Sequence, residues 1–161
     1  MSFPISPRSG RSKAPSRRQV VAGAASGLAL AVVAPVAARA ETLEELVRRV
    51  TDGVAPAEGG VTLEIPALVE NGNSVDVHVA VESPMTEALY VRWIHLIAEK
   101  NPFPDMARLH LSPRAGRAEV ATTLRLAQSQ TVAAVVAHSD GRYVIATAPV
   151  VVTLSACIDG G

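Results

Sequence analysis

The chain has 161 residues, and its 15 basic residues balance its 15 acidic ones. The balance conceals two unlike pieces: six basic residues and no acid precede position 41, while nine basic residues and all fifteen acids follow, a net charge of −6 for the later part. That sign excludes nucleic acid and an anionic membrane surface as natural partners of the later part.

The first piece reads as an address. Arg17 and Arg18 stand in Ser16-Arg17-Arg18-Gln19-Val20-Val21, the pattern of a twin-arginine export signal. An uncharged run rich in Ala, Val and Leu follows from Val20 to Ala38, and Ala38-Arg39-Ala40 forms an A-x-A cleavage site. The Ala- and Gly-rich composition, Pro35 and the small residues at its end suit cleavage better than anchoring. The expectation is a signal peptide over 1–40 and a periplasmic protein beginning at Glu41, with no membrane association after cleavage. What remains suffices for one domain with one core. Its single cysteine is Cys157. In an oxidising compartment a lone thiol is buried, joined to another chain, or functional.

The predicted domain spans 41–154 and opens with a short helix. Thr42 and Glu45 form a capping box, each side chain satisfying a backbone N–H that the helix leaves orphaned. Leu43, Leu46, Val47 and Val50 make one apolar stripe, Glu44–Arg48 and Glu45–Arg49 are i,i+4 pairs in the favourable order, and Asp52-Gly53 ends the helix. The rest reads as strand and turn. Val61–Ile65 is a short strand and Asn71-Gly72-Asn73 a turn. From Val75 to Glu82 four valines alternate with other residues, the mark of a strand buried on one face. Tyr90–Ala98 is more apolar and predicted central. Asn101-Pro102-Phe103-Pro104-Asp105 reads as an unpaired loop, Ala107–Leu111 as a short strand and Ser112–Gly116 as a turn. Arg117–Leu126 and Thr131–His138 are strands, Asp140-Gly141 a hairpin signal, and Arg142–Leu154 one or two final strands with Pro149 as a bulge or edge marker. The pattern of about seven strands behind a short helix predicts an all-β, immunoglobulin-like sandwich.

Chemistry is sparse. His78, His95 and His110 lie inside predicted strands and His138 near a strand end, with no metal-ligand spacing; they read as surface or edge histidines on a sheet. No phosphate-binding glycine loop and no G-x-S-x-G elbow occurs, so neither a metal, a cofactor nor a catalytic residue is expected. The unusual segment is 155–161, Ser155-Ala156-Cys157-Ile158-Asp159-Gly160-Gly161. A thiol there has almost nothing beyond it to anchor it, which favours an exposed, functional role over a place in the core.

Several ordered segments carry a family resemblance: Glu70–Val75, Val81–Thr86, Ile94-His95-Leu96 with Asn101–Pro104, Leu109–Pro113, Gly116–Val120, and Leu126-Ala127 with Gln130–Val132. With the leader and the predicted fold, the chain from about Thr42 onward resembles SoxY, the sulfur-carrying subunit of the periplasmic thiosulfate-oxidising Sox system. The resemblance implies a non-catalytic carrier that pairs with a second Ig-like subunit, SoxZ. It also implies that Cys157 is the covalent attachment point, that Gly160 and Gly161 belong to a carrier arm, and that partner Sox enzymes visit the arm. Glycine suits such an arm because it removes Cβ clashes in a narrow channel, and a thiol suits it because its bond to sulfur is exchangeable.

The arm departs from the family's glycine-flanked cysteine. Ser155 and Ala156 precede Cys157, and Ile158 and Asp159 follow it. Ile158 adds bulk, and Asp159 sets a negative charge beside an anionic cargo. At about 6 Å in water that repulsion is of order 0.7 kcal/mol, and it grows in a drier channel. Asp159 also tends to raise the thiol pKa. The departures leave open a second reading, a SoxY paralogue that acts as a binding or structural subunit with lost or altered cargo. A third, a small periplasmic enzyme or thiol redox sensor, lacks an acid–base constellation behind the cysteine.

Overall fold

Two rhythms of apolar residues build two kinds of sheet. The computed structural model describes residues 41–154. Where valines alternate, at Val75, Val77, Val79 and Val81, strand β4 (Val75–Val81) buries those four and turns Asp76, His78 and Ala80 outward. It is the middle of a three-stranded antiparallel sheet, between β2 (Val61–Glu64) and β7 (Ala118–Leu124). Where the apolar run is continuous, β5 (Val91–Ala98) and β8 (Gln130–His138) are buried on both faces at the centre of the other sheet. That sheet runs β1 (Ala57–Glu58), β9 (Tyr143–Leu154), β8, β5, β6 (Asp105–His110), and β3 (Leu68–Asn71) also pairs with β9.

The inner face of β5, through Val91, Ile94, Leu96 and Ala98, meets the valines of β4 in the main core. The opposite face, Trp93 and Ile97 with Ala133, Val135 and Ala137 of β8, is covered by Leu46, Val47 and Val50 of α1 (Leu43–Val50). The layers are thus helix, large sheet, small sheet. The capping box forms as expected: Thr42 N donates to Glu45 Oε2 at 2.8 Å, and Glu45 N donates to Thr42 Oγ1 at 3.3 Å. Arg48 pairs with Glu44 at 2.7 Å, and Arg49 reaches Asp105 at 3.0 Å, tying the helix to β6. Asp52 and Gly53, both with positive φ, turn the chain away after the helix.

The all-β sandwich with one short helix stands, but the described residues hold nine strands where about seven are read from the sequence. The additional ones, β1 and β3, are two and four residues long, mostly exposed, and pair in parallel with β9. Strands that short have no legible period, and parallel pairing across a long sequence gap leaves no hairpin signal. Asp105, expected in the loop, is instead the first residue of β6, opposite Ile97 across a register shift. The last segment is one unbroken strand despite Pro149. Pro149 faces Thr131 of β8, and on its other side β9 is passing from its β1 ladder at Val144–Ile145 to its β3 ladder at Val151–Leu154. A residue with no N–H fits that gap. The turn at Gly72 requires glycine, because a Cβ there would run into the backbone carbonyl of Leu126, whose N–H bonds to the Gly72 carbonyl at 2.8 Å.

Candidate functional site

The export-signal arginines Arg17 and Arg18, the cleavage-site residues Ala38 and Ala40, and the arm residues Cys157, Gly160 and Gly161 lie outside the described residues. What the structure describes is the root from which the arm departs. Val150 and Val152, near the end of β9, are buried in the main core, while Val151 points outward. β3 flanks this end, with Leu68 opposite Val151, Val69 opposite Val152 and Asn71 opposite Leu154. Thr153 Oγ1 donates to the Glu70 carbonyl at 3.0 Å. From the other side Ser129 grips the strand: its Oγ accepts from Val152 N at 2.9 Å and donates to Val152 O at 3.3 Å. Cys157 follows three residues after the last described position of β9.

A polar cluster around the buried Gln130 braces the same end. The Gln130 amide accepts from Lys100 N at 2.8 Å and donates to Asn101 Oδ1 at 2.7 Å. Asn101 Oδ1 also accepts from Ala127 N at 2.9 Å, and its Nδ2 donates to the Arg125 carbonyl at 2.7 Å. These amides staple the 99–104 loop onto the segment leading into β8. Asn101 and Gln130 stand in segments that carry the family resemblance, yet sequence reasoning assigned them no role. An Asn ahead of a Pro-rich loop and a Gln opening an apolar strand were the available signals.

Two of the four histidines, His95 and His138, part company with the surface reading, while His78 and His110 keep to it. His95 and His138 are buried, because β5 and β8 are covered on both faces. His95 Nδ1 accepts from Arg108 Nε at 2.9 Å. Since that guanidinium always carries its proton, the ring proton of neutral His95 sits on Nε2. Nε2 lies 3.0 Å from Asp105 Oδ1, but poorly aligned, so the approach is electrostatic rather than a hydrogen bond. Arg108 also stacks over Trp93, 4.8 Å from the ring centroid, and Trp93 meets His95 edge-on. Burial pushes the His95 pKa down, and the Arg108 cation adds to it against the pull of Asp105. His138 is likewise lowered, by burial and then Arg142, and its Nδ1 has no hydrogen-bond partner among the described residues.

His78 behaves oppositely. On the outer face of the small sheet it sits between Glu119, 2.8 Å from Nε2, and Glu64, 3.1 Å from Nδ1, and Glu119 above all raises its pKa. His110 is exposed on β6. Among the described residues no group of three or more His, Cys, Asp or Glu side chains is placed to hold a metal ion. Nor is any helix there long and apolar enough to cross a membrane. In the described domain the C-terminal root is braced by hydrogen bonds from both sides, two histidines are buried in the large sheet, and His78 is ion-paired on the small one.

A family model described as sulfur oxidation protein SoxY matches residues 47–157. No curated protein matches the chain. Among solved structures, the sulfur carrier protein SoxY from Chlorobium limicola f thiosulfatophilum is 26% identical, with a TM-score of 0.56, and the alignment covers 70% of this chain and 96% of that one. A superoxide reductase (neelaredoxin) from Ignicoccus hospitalis is 25% identical at a TM-score of 0.52, covering 58% of this chain and 80% of that one. The superoxide reductase from Nanoarchaeum equitans, 12% identical with a TM-score of 0.51 over 60% of this chain and 100% of its own, shares the fold alone. The family match takes in both sheets, the braced root and the cysteine beyond it, and the chain belongs to the family of the sulfur oxidation protein SoxY.

Proposed function

We propose that this chain is an exported, non-catalytic carrier of sulfur compounds, which holds its cargo covalently on the Cys157 thiol and presents it to partner enzymes. The observation that carries this reading is that the family match runs to residue 157, past the last braced residues of β9 and onto the cysteine itself. A carrier needs a fixed body and a reactive group beyond it. Val150 and Val152 supply the fixed end, and Cys157 supplies a nucleophile whose sulfur–sulfur bonds form and exchange without external activation of the protein. Joining the Cys157 thiolate to a thiosulfate sulfur gives a thiosulfonate-type adduct and releases two electrons, so a partner enzyme must supply the electron acceptor. A SoxZ-like subunit is the proposed companion, and export of this chain to the periplasm, with cleavage of the leader after Ala40, belongs to the same reading.

The test is the mass of the C-terminal peptide from cells grown on thiosulfate. It is expected to carry sulfur or thiosulfate increments that reductant removes, and Cys157→Ser is expected to abolish them without changing the melting temperature. A Cys157 that resists alkylation in the native protein and carries no increment defeats the reading.

Ser155, Ala156, Ile158 and Asp159 favour the second reading, a paralogue with altered cargo. Restoring glycine at those four positions separates the two. A rise in loading means that bulk and charge limit an otherwise ordinary carrier, whereas no loading in either form means the cargo has changed.

A further inference from the structure

The exposed large hydrophobic residues of the described domain are Val54, Leu68, Phe103 and Val151. Three of these four stand at the end from which the arm departs. β5 and β9 both run antiparallel to β8, so both finish beside its beginning: Ala98 faces Val132, and Val150 faces Gln130. After Ala98 the chain forms the loop that carries Phe103. After Val150 it runs past Val151, opposite Leu68, to the root of the arm. Adjacent strands lie about 4.8 Å apart, so with β8 between them the loop is about 10–15 Å from that root.

Phe103 is 84% exposed, an unusual place for the only phenylalanine of the domain. It is also held there. Pro102 and Pro104 flank it, Ala98 N donates to the Pro104 carbonyl at 3.0 Å, and Asn101 N donates to the Ala98 carbonyl at 3.1 Å. The Asn101 side chain pins the loop to Arg125, Ala127 and Gln130. The ring is thus displayed on a preorganised loop, which lowers the entropy lost when a partner engages it. Rigid aromatic side chains at the centre of a contact supply a large share of binding energy.

The reach of the arm decides where such a partner must sit. Cys157 is three residues beyond Leu154, and three extended residues span at most about 11 Å. A protein that takes the thiol into its active site must therefore bring the mouth of that site to within about that distance of the root. It cannot do so without covering this end of the sandwich. A standard interface of about 800 Å² per partner reaches from the root to the loop.

We propose that Phe103, on the same end of the domain as Leu68 and Val151 at the root, is the docking anchor for the enzyme that loads the arm: a protein with an apolar slot for an aromatic ring beside its active-site mouth. This rests on the carrier reading. The test follows adduct formation on Cys157 over time, by intact mass, in host cells given thiosulfate and producing the full chain as wild type, Phe103→Ala, Phe103→Trp or Val54→Ala. Loading of Phe103→Ala is expected to slow by about tenfold or more, while Phe103→Trp stays within about twofold of wild type and Val54→Ala matches it. Melting temperature and the alkylation rate of Cys157 by iodoacetamide are expected to be unchanged in all four. Loading of Phe103→Ala at the wild-type rate overturns the anchor and leaves the carrier reading standing. Slow loading that accompanies lost co-elution with the SoxZ-like subunit also overturns it, because Phe103 then belongs to the subunit interface. Wild-type protein without any adduct defeats the carrier reading, and the anchor with it.

Discussion

The two sheets of the sandwich share one core yet treat the same residue type in opposite ways. The large sheet is covered on both faces at its centre, by the small sheet on one side and α1 on the other, and it buries His95 and His138. The small sheet is covered on one face only, and His78 stands on its open side between two glutamates. One environment withholds solvent and lowers histidine pKa values; the other supplies carboxylates and raises them. The chemical character of a side chain here is set by how many layers cover its strand, not by its being in a strand.

The largest effects should come from the layers themselves. Leu96, between the sheets, and Leu46, between α1 and the large sheet, are both fully buried. Leu96→Ala is expected to cost about 4 kcal/mol and Leu46→Ala about 2–3 kcal/mol, because a short helix settles into a cavity more readily than a strand held in two ladders. Chemical denaturation measures both. Trp93, the only tryptophan, reports on the helix layer: its emission should shift to longer wavelength in Leu46→Ala and stay in place in Leu96→Ala. Equal costs, or no difference in emission, would show that α1 is as rigid as the sandwich.

A smaller effect is expected at the brace. Asn101→Ala leaves Ala127 N without its side-chain acceptor and removes one of the Gln130 amide's hydrogen bonds, while those to Lys100 N and the Gln128 carbonyl stay, at a cost of about 2 kcal/mol. Hydrogen exchange should quicken at Ala127 and in the 99–104 loop and stay slow in β4 and β7. Uniform quickening would mean that the brace holds the whole domain rather than its arm end.

The smallest effect is the pH response, and it addresses the histidine contrast directly. His95 and His138 have folded-state pKa values below the ordinary 6.5, so the unfolded chain takes up their protons first as pH falls. Their contribution is whole above pH 6.5 and is lost from there down toward the folded values. His78, with its pKa raised above 6.5, contributes fully below 6.5 and loses that contribution as pH rises through the folded value. Between pH 7 and 5 the two buried rings should outweigh the one exposed ring, and the melting temperature should fall. His95→Gln is expected to flatten that fall, since an amide oxygen still accepts from Arg108 without titrating, and His78→Gln to steepen it. If both variants parallel wild type, the histidines do not govern the response.

The sequence by itself determined the elements whose rule is local. Thr42 and Glu45 announce a cap because its hydrogen bonds lie within one turn, and the alternating valines of β4 announce one buried face because side chains alternate along any strand. The ordered family segments, with Cys157 beyond them, carried the reading of what the chain does. Tertiary structure alone decided what depends on residues far apart in the chain: the parallel pairing of β1 and β3 with β9, the start of β6 at Asp105, and the burial of His95 and His138. It also decided that a loop carrying Phe103 and the root of the arm share one end of the domain. No local pattern encodes these, because a strand's second face is hidden or exposed by whatever the rest of the chain lays upon it, and that is settled only when the layers pack.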